Sequence, residues 1–157
     1  MTVLLSAAVR VPASTANLGS GFDCVGVAVN RWLSASVSVV PVQGKAPRLT
    51  IERAGTLSAL DVAPELDLLY AGFVAAYRES DGDEGAGCAR HDLSFSATSE
   101  IPIARGLGSS AAALVAGAAL ANRTLDLGLT AGQIIRACSL AEGHPDNVVA
   151  AVHGGAV

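Results

Sequence analysis

Residues 102 to 112 read PIARGLGSSAA, and they carry the most chemistry per residue in the chain. Gly106 and Gly108 frame a tight turn, and Ser109 and Ser110 follow with two hydroxyls. The alanine-rich run AAALVAGAALAN comes next, a sequence that favours helix. A glycine turn feeding a first helical turn leaves several backbone N–H groups aimed at one point. The helix dipole adds positive potential there, so the arrangement suits an anion. The glycines let the backbone bend and let a bulky phosphate approach. This is not the lysine-bearing phosphate loop GxxxxGK[ST], because Ser109 stands where the lysine belongs. It also lacks the third glycine of GxGxxG. Backbone amides, serines, a metal ion and the nearby Arg105 are left to neutralise the anion. The same letters also describe an ordinary serine-marked helix start.

Two further segments bear on that choice. In RVPASTANLGSGFDCVGVAVN, from Arg10 to Asn30, an apolar stretch ends at Pro12, and a second begins at Val25. The small polar loop between them offers Asn17, which donates and accepts, and Asp23, which can hold an ammonium or a hydroxyl proton. Either residue alone also fits simple turn chemistry. In AEGHPDNVVAAVHGG, from Ala141 to Gly155, Glu142, His144, Asp146 and Asn147 fall within six residues. Glu142 closes a predicted helix over 130–142, where a carboxylate meets the unfavourable end of the dipole and calls for a cation. Pro145 opens another helix, with Asp146 in its first turn. No cysteine lies near, and His153 is too far along to complete a zinc site with His144.

Taken in order, PASTANLGSGFD, PIARGLGSSAA and EGHPDN resemble the GHMP kinase superfamily, which includes galactokinase, homoserine kinase, mevalonate kinase and phosphomevalonate kinase. The phosphate loop PxxxGLGSSAA is shared across that superfamily. ANLGxGFD and HxDN together resemble its homoserine kinase branch. The resemblance runs from about Val9 to Val157. It implies an α+β sandwich of the ribosomal protein S5 domain 2-like type, with ATP and Mg2+ as cofactors. It also implies transfer of a phosphoryl group to the side-chain hydroxyl of L-homoserine, in threonine biosynthesis.

Carried over by position, the resemblance gives the ATP phosphates to Pro102, Ile103, Ala104, Arg105, Gly106, Leu107, Gly108, Ser109, Ser110, Ala111 and Ala112. Glu142 and one of Ser109 and Ser110 would hold Mg2+. Asn17, Asp23, His144 and Asp146 would grip homoserine, and Asp146 and Asp23 are the candidate general bases. The family's Asn-Leu-Val segment, which helps to hold the base, is matched by Asp67-Leu68-Leu69. An aspartate there accepts hydrogen bonds but does not donate as an amide does. Family members carry a second domain with a further glycine-rich motif and arginines for the substrate carboxylate. The resemblance therefore assigns 1–157 to the N-terminal, ATP-binding domain and leaves the C-terminal domain outside this chain.

Composition agrees with part of a cytoplasmic enzyme. The length of 157 residues suits one domain with a real core. A net charge of −4 with scattered basic residues argues against a nucleic-acid partner. Three widely spaced cysteines, Cys24, Cys88 and Cys138, suit free thiols. Neither MTVLLSAAVRVP nor 111–121 has the length and flanks of a membrane segment or leader, so no membrane partner is expected. A homodimer is the candidate assembly.

The elements that must position these groups follow from pattern. Strands are predicted near 3–11, 25–30, 33–41, 48–53 and 92–99. In the last of these Leu93, Phe95 and Ala97 alternate with polar residues. Helices are predicted over 66–78, with Leu66, Leu69, Phe73 and Tyr77 on one side, and near 108–123, 130–142 and 146–152. SDGDEGAG, from Ser80 to Gly87, reads as a solvated acidic loop. Strands early and helices late predict a mostly antiparallel sheet with helices on one face.

Overall fold

Alternation builds the sheet. In a computed structural model that describes residues 4–16, 18–19, 25–42, 46–81 and 90–157, Leu93, Phe95 and Ala97 are buried while Ser94, Ser96 and Thr98 face solvent. These residues belong to β4 (His91–Ser99). The other strands are β1 (Leu5–Thr15), β2 (Val27–Pro41) and β3 (Leu49–Gly55). The order across the sheet is β1-β2-β4-β3. β1 with β2 and β2 with β4 are antiparallel, and β3 with β4 is parallel. The parallel pair is joined by a crossover through α1 (Leu68–Asp81), the kind of connection parallel strands require.

Helices α2 (Ser109–Thr124) and α4 (Asp146–His153) lie against β1 and β2, while α1 and α3 (Ala131–Glu142) flank α2. The core between the layers holds Leu33, Val37, Phe73, Phe95, Leu114 and Leu120, with Phe73 and Phe95 meeting edge to face at 5.5 Å between centroids. α1 and α2 approach to backbone contact. A Cβ built on Gly72 would fall 2.0 Å from the Leu114 carbonyl oxygen, and one on Gly117 would fall 1.9 Å from that of Leu69. α3 starts with a reciprocal cap between Thr130 and Gln133 and is tied to α1 through Arg136 and Glu79. Among the described residues, no helix is long and apolar enough to cross a membrane.

The α+β class and the one-sided helices agree with the expectation, but three boundaries differ. β1 does not stop at Pro12; it runs on to Thr15. It is an edge strand, where a residue without an N–H is tolerated, and its register against β2 shifts between Pro12 and Ala13. That shift accounts for the second difference. Pro12 pairs with Trp32 and Ala13 with Val29, so Asn30 and Arg31 are the extra residues of one continuous β2 rather than a gap between two strands. Third, Leu66 is not in the helix. It lies 75% exposed at the end of a 3-10 turn (Pro64–Leu66). Asp67 is extended, and its Oδ1 accepts the Leu69 N–H at 2.8 Å, so Asp67 caps α1 and the helix begins after it.

Candidate active site

The loop before α2 is built from backbone. It leaves the sheet at buried Ile101, whose carbonyl oxygen accepts a 2.8 Å hydrogen bond from Thr56 Oγ1. Positive φ then occurs at every second residue, at Ala104 (55°), Gly106 (68°) and Gly108 (62°). Such alternation turns successive N–H groups toward one concavity, a form suited to an anion. Gly108 is the N-cap of α2, and no side chain caps it. The first-turn N–H groups are thus left to a ligand. Packing gives Gly108 a second reason to be glycine, beside the room for a phosphate expected from sequence. A Cβ there would lie 2.3 Å from Ser14 Oγ and 3.1 Å from Asn147 Oδ1, so this glycine is demanded by the protein's own packing. The Ser14 N–H also donates to the Leu107 carbonyl at 3.1 Å, which pins the loop to β1.

The joint between α3 and α4 supplies the opposing groups. Gly143 ends α3 in the left-handed region at φ 98°, and the chain reverses into α4. Glu142 accepts a short hydrogen bond from the Ser110 hydroxyl. His144 Nδ1 lies 2.5 Å from Asp146 Oδ1, which also accepts the Asn147 N–H at 2.8 Å. Fully buried Ser14 places its hydroxyl 3.0 Å from the Asn147 carbonyl oxygen and 3.1 Å from its Oδ1. β1, the loop, α2 and α4 thus meet at one point.

A cavity of about 460 Å³ opens along these elements. One side is polar, formed by the loop, Ser109, Ser110, Glu142, His144 and Asn147. The other side is apolar, formed by Leu57, Leu60, Val62, Leu69 and neighbours, and carries Arg53 and Asp67. Of the eleven loop residues singled out by sequence, Ile103 to Ser110 line the cavity and Pro102, Ala111 and Ala112 do not; the last two are buried in the core. Asp67, Glu142 and His144 line it, whereas Asp146 stands behind His144. Asn17 and Asp23 fall outside the described residues. Residues on either side of that segment reach the same region. Ser14 touches Asn147, and Gly26 packs so closely on α4 that an added Cβ would lie 2.6 Å from the Asp146 carbonyl oxygen.

Sequence reasoning missed Ser14 and Arg53 and gave Asn147 no role. The signal for Arg53 was its register: it occupies the inward position after Leu49 and Ile51 in β3. Ser14 had no local signal, because its partner is 133 positions away. Cys138 is buried behind the site, and burial, aided by the Glu142 charge, pushes its thiol up to about 12. Among the described residues no cluster of three or more His, Cys, Asp and Glu could cage a metal by itself. The Ser110 and Glu142 pair nonetheless offers the hard oxygen donors that Mg2+ shares with phosphates.

The cavity, an uncapped helix start and a carboxylate bonded to a serine meet in one site on an α+β domain. The model of the GHMP kinases N terminal domain matches residues 69–155, and the chain belongs to this family. Its fold is of the ribosomal S5 domain 2-like type. The chain is 44% identical over 156 residues to a homoserine kinase of Corynebacterium kroppenstedtii, covering 97% of this chain and 46% of that one. It is 37% identical over 155 residues to a homoserine kinase of Trichormus variabilis, covering 99% and 48%. A solved homoserine kinase from Cytophaga hutchinsonii superposes with a TM-score of 0.76 at 27% identity, over 97% of this chain and 47% of that one. The chain spans about half the length of the relatives it matches.

Proposed function

We propose that this chain is the ATP-binding N-terminal half of a homoserine kinase, which phosphorylates the side-chain hydroxyl of L-homoserine in the cytoplasm for threonine biosynthesis. The observation that carries the reading is the uncapped start of α2, whose Ser110 is bonded to Glu142 at the wall of the same cavity.

Phosphoryl transfer asks a protein mainly to position its reactants and to offset charge. The loop amides between Ile103 and Ser110 bind the phosphate oxygens, and Arg105, exposed at the rim, adds positive potential. Glu142, with Ser110 or Ser109, would hold Mg2+. When bound, Mg2+ supplies Lewis-acid neutralisation of phosphate charge. Asp67 borders the apolar side, where the nucleoside fits. His144, oriented by Asp146, donates to an oxygen of homoserine. Asn17 and Asp23 complete the amino-acid subsite by family resemblance. Asp146 already accepts from His144 and from the Asn147 N–H. It acts through His144, which leaves Asp23 as the other candidate base. A loose transition state needs little help from either.

The test is ADP release with a panel of L-homoserine, mevalonate, a sugar and shikimate. It is run on this chain alone and on a chain extended by the half its relatives carry. Turnover with L-homoserine in the extended chain alone is expected. Preferred turnover of another acceptor would overturn the substrate assignment, and robust turnover by the 157-residue chain would overturn the need for a second domain.

A further inference from the structure

We propose that Ser14 is a positioning residue for phosphoryl transfer, one that locks the start of α4 to the phosphate loop and so fixes the separation of the two reactants. The proposal rests on the kinase reading of the site and names a group that touches neither reactant.

Ser14 stands behind the site. It is fully buried and does not line the cavity. Burying a hydroxyl is costly unless it is hydrogen-bonded. The other buried polar residues, Ser99 and Thr124, are satisfied close by in sequence. Ser99 Oγ accepts the Ile101 N–H, and Thr124 Oγ1 donates to the Leu120 carbonyl of its own helix. Ser14 instead reaches across 133 positions, to the Asn147 carbonyl oxygen at 3.0 Å and to its Oδ1 at 3.1 Å. The Ser14 N–H donates to the Leu107 carbonyl oxygen at 3.1 Å. One residue thus grips the loop through its main chain and α4 through its side chain.

Both partners line the cavity. Leu107 belongs to the phosphate loop, and Asn147 follows the joint that carries His144. The fit between them has no slack. One carbon added to Gly108 would lie 2.3 Å from Ser14 Oγ and 3.1 Å from Asn147 Oδ1. With Oδ1 engaged by Ser14, Asn147 Nδ2 has no partner among the described residues and keeps its N–H donors for the cavity. Removing the Ser14 hydroxyl frees this amide to turn over and α4 to shift, while every group that lines the cavity keeps its chemistry. In-line transfer is sensitive to such a shift, since a misplacement of about 1 Å caused far from the chemistry can cost about a hundredfold in rate. Binding of either reactant alone is far less sensitive, because each rests on one side of the joint.

The experiment is single-turnover and steady-state kinetics of ADP formation, in the enzyme completed by the half its relatives carry. Rates are normalised to ATP-binding sites so that unfolded chain is not counted. Ser14→Ala is expected to lower the single-turnover rate and kcat by about tenfold or more, with KM for ATP and for L-homoserine within about threefold. If Ser14→Ala does not fold, Ser14→Cys, with a similar shape and a weaker donor, takes its place. The same Ser14 change should cost little once Asn147 is already alanine, because the hydroxyl acts through that side chain. A single-turnover rate unchanged within about threefold would overturn the proposal. So would a loss carried by KM for one reactant, or a loss as large in the Asn147→Ala background. If the unaltered enzyme binds ATP but forms no ADP with L-homoserine, the kinase reading itself falls and takes this proposal with it.

Discussion

The Ser110 hydroxyl donates to the Glu142 carboxylate across 32 positions of sequence, joining the first turn of one helix to the last turn of another. Both helix ends are then electrostatically mismatched unless a ligand arrives. The start of α2 has free N–H groups, and the end of α3 holds an acid near its negative pole. An anion for the first and a cation for the second satisfy both. Glu142→Gln is therefore expected to remove most of the enhancement that Mg2+ gives to ATP binding. The loss should be about tenfold or more, since a charge-assisted contact contributes roughly 1.5–3 kcal/mol. Titration of ATP with and without Mg2+ checks this, and an unchanged enhancement would exclude Glu142 as a ligand.

Gly108→Ala should be nearly as harmful as Gly108→Val. The first added carbon already meets Ser14 Oγ at 2.3 Å, and the residue sits at φ 62°. Left-handed strain alone costs about 1–3 kcal/mol, which lowers the melting temperature by several degrees in a domain of this size. Thermal unfolding of both variants decides. An alanine variant with unaltered melting would remove the packing demand, and lost ATP affinity without lost stability would mark Gly108 as leaving space for phosphate.

Gly117→Ala is expected to cost about 3 kcal/mol or more, at the severe end for an added core methyl. Its Cβ would sit 1.9 Å from a carbonyl oxygen that cannot move without shifting α1. Denaturant titration reads the loss, and a change below about 0.5 kcal/mol would mean the helices separate freely.

His144 and Asp146 should behave as one unit toward the acceptor substrate. In the enzyme completed by its second half, His144→Ala is expected to raise the KM for L-homoserine with little change for ATP. Asp146→Asn should do the same in the presence of His144 and add little in its absence. A double-mutant cycle measures this; additive effects would give Asp146 a separate contact.

Cys138 makes stability depend on alkaline pH. The folded thiol keeps its proton up to about 12, against an ordinary value of 9.0. Unfolding within that window releases a proton, so the stabilising preference for the neutral thiol is intact below pH 9.0 and declines as pH rises toward 12. The unaltered chain should therefore lose stability relative to Cys138→Ala as pH climbs through this window. Parallel curves for the two chains would show that Cys138 titrates normally.

What could be read from sequence was whatever is written locally. GLGSSAA announced both the loop and the helix behind it, and the alternation of Leu93, Phe95 and Ala97 announced β4 and its buried face. EGHPDN announced the joint that brings Glu142 to Ser110 at the start of α2. The continuity of β2 through Asn30 and Arg31 was hidden, because those extra residues are explained only by the register of β1 beside them. Ser14 looked like one more small loop residue, since its contact with Asn147 exists only after the sheet and α4 have met. Arg53 looked like a charged strand end, and only the folded chain supplies the carboxylate 14 positions away that turns it inward.

Gly72 and Gly117 seat α1 and α2 on each other with no side chain between them. Asp67 heads the first of these helices and Gly108 the second. The two helices therefore form a rigid gauge. The span from the Asp67 backbone at one head to the amides at the other is set by contact of main chain on main chain, with no side-chain rotamer between the helices to lengthen or shorten it. If the proposed nucleotide site is right, a compound whose base and phosphates are set further apart or closer together than in a nucleotide would engage one end of this gauge at a time, whatever its charge.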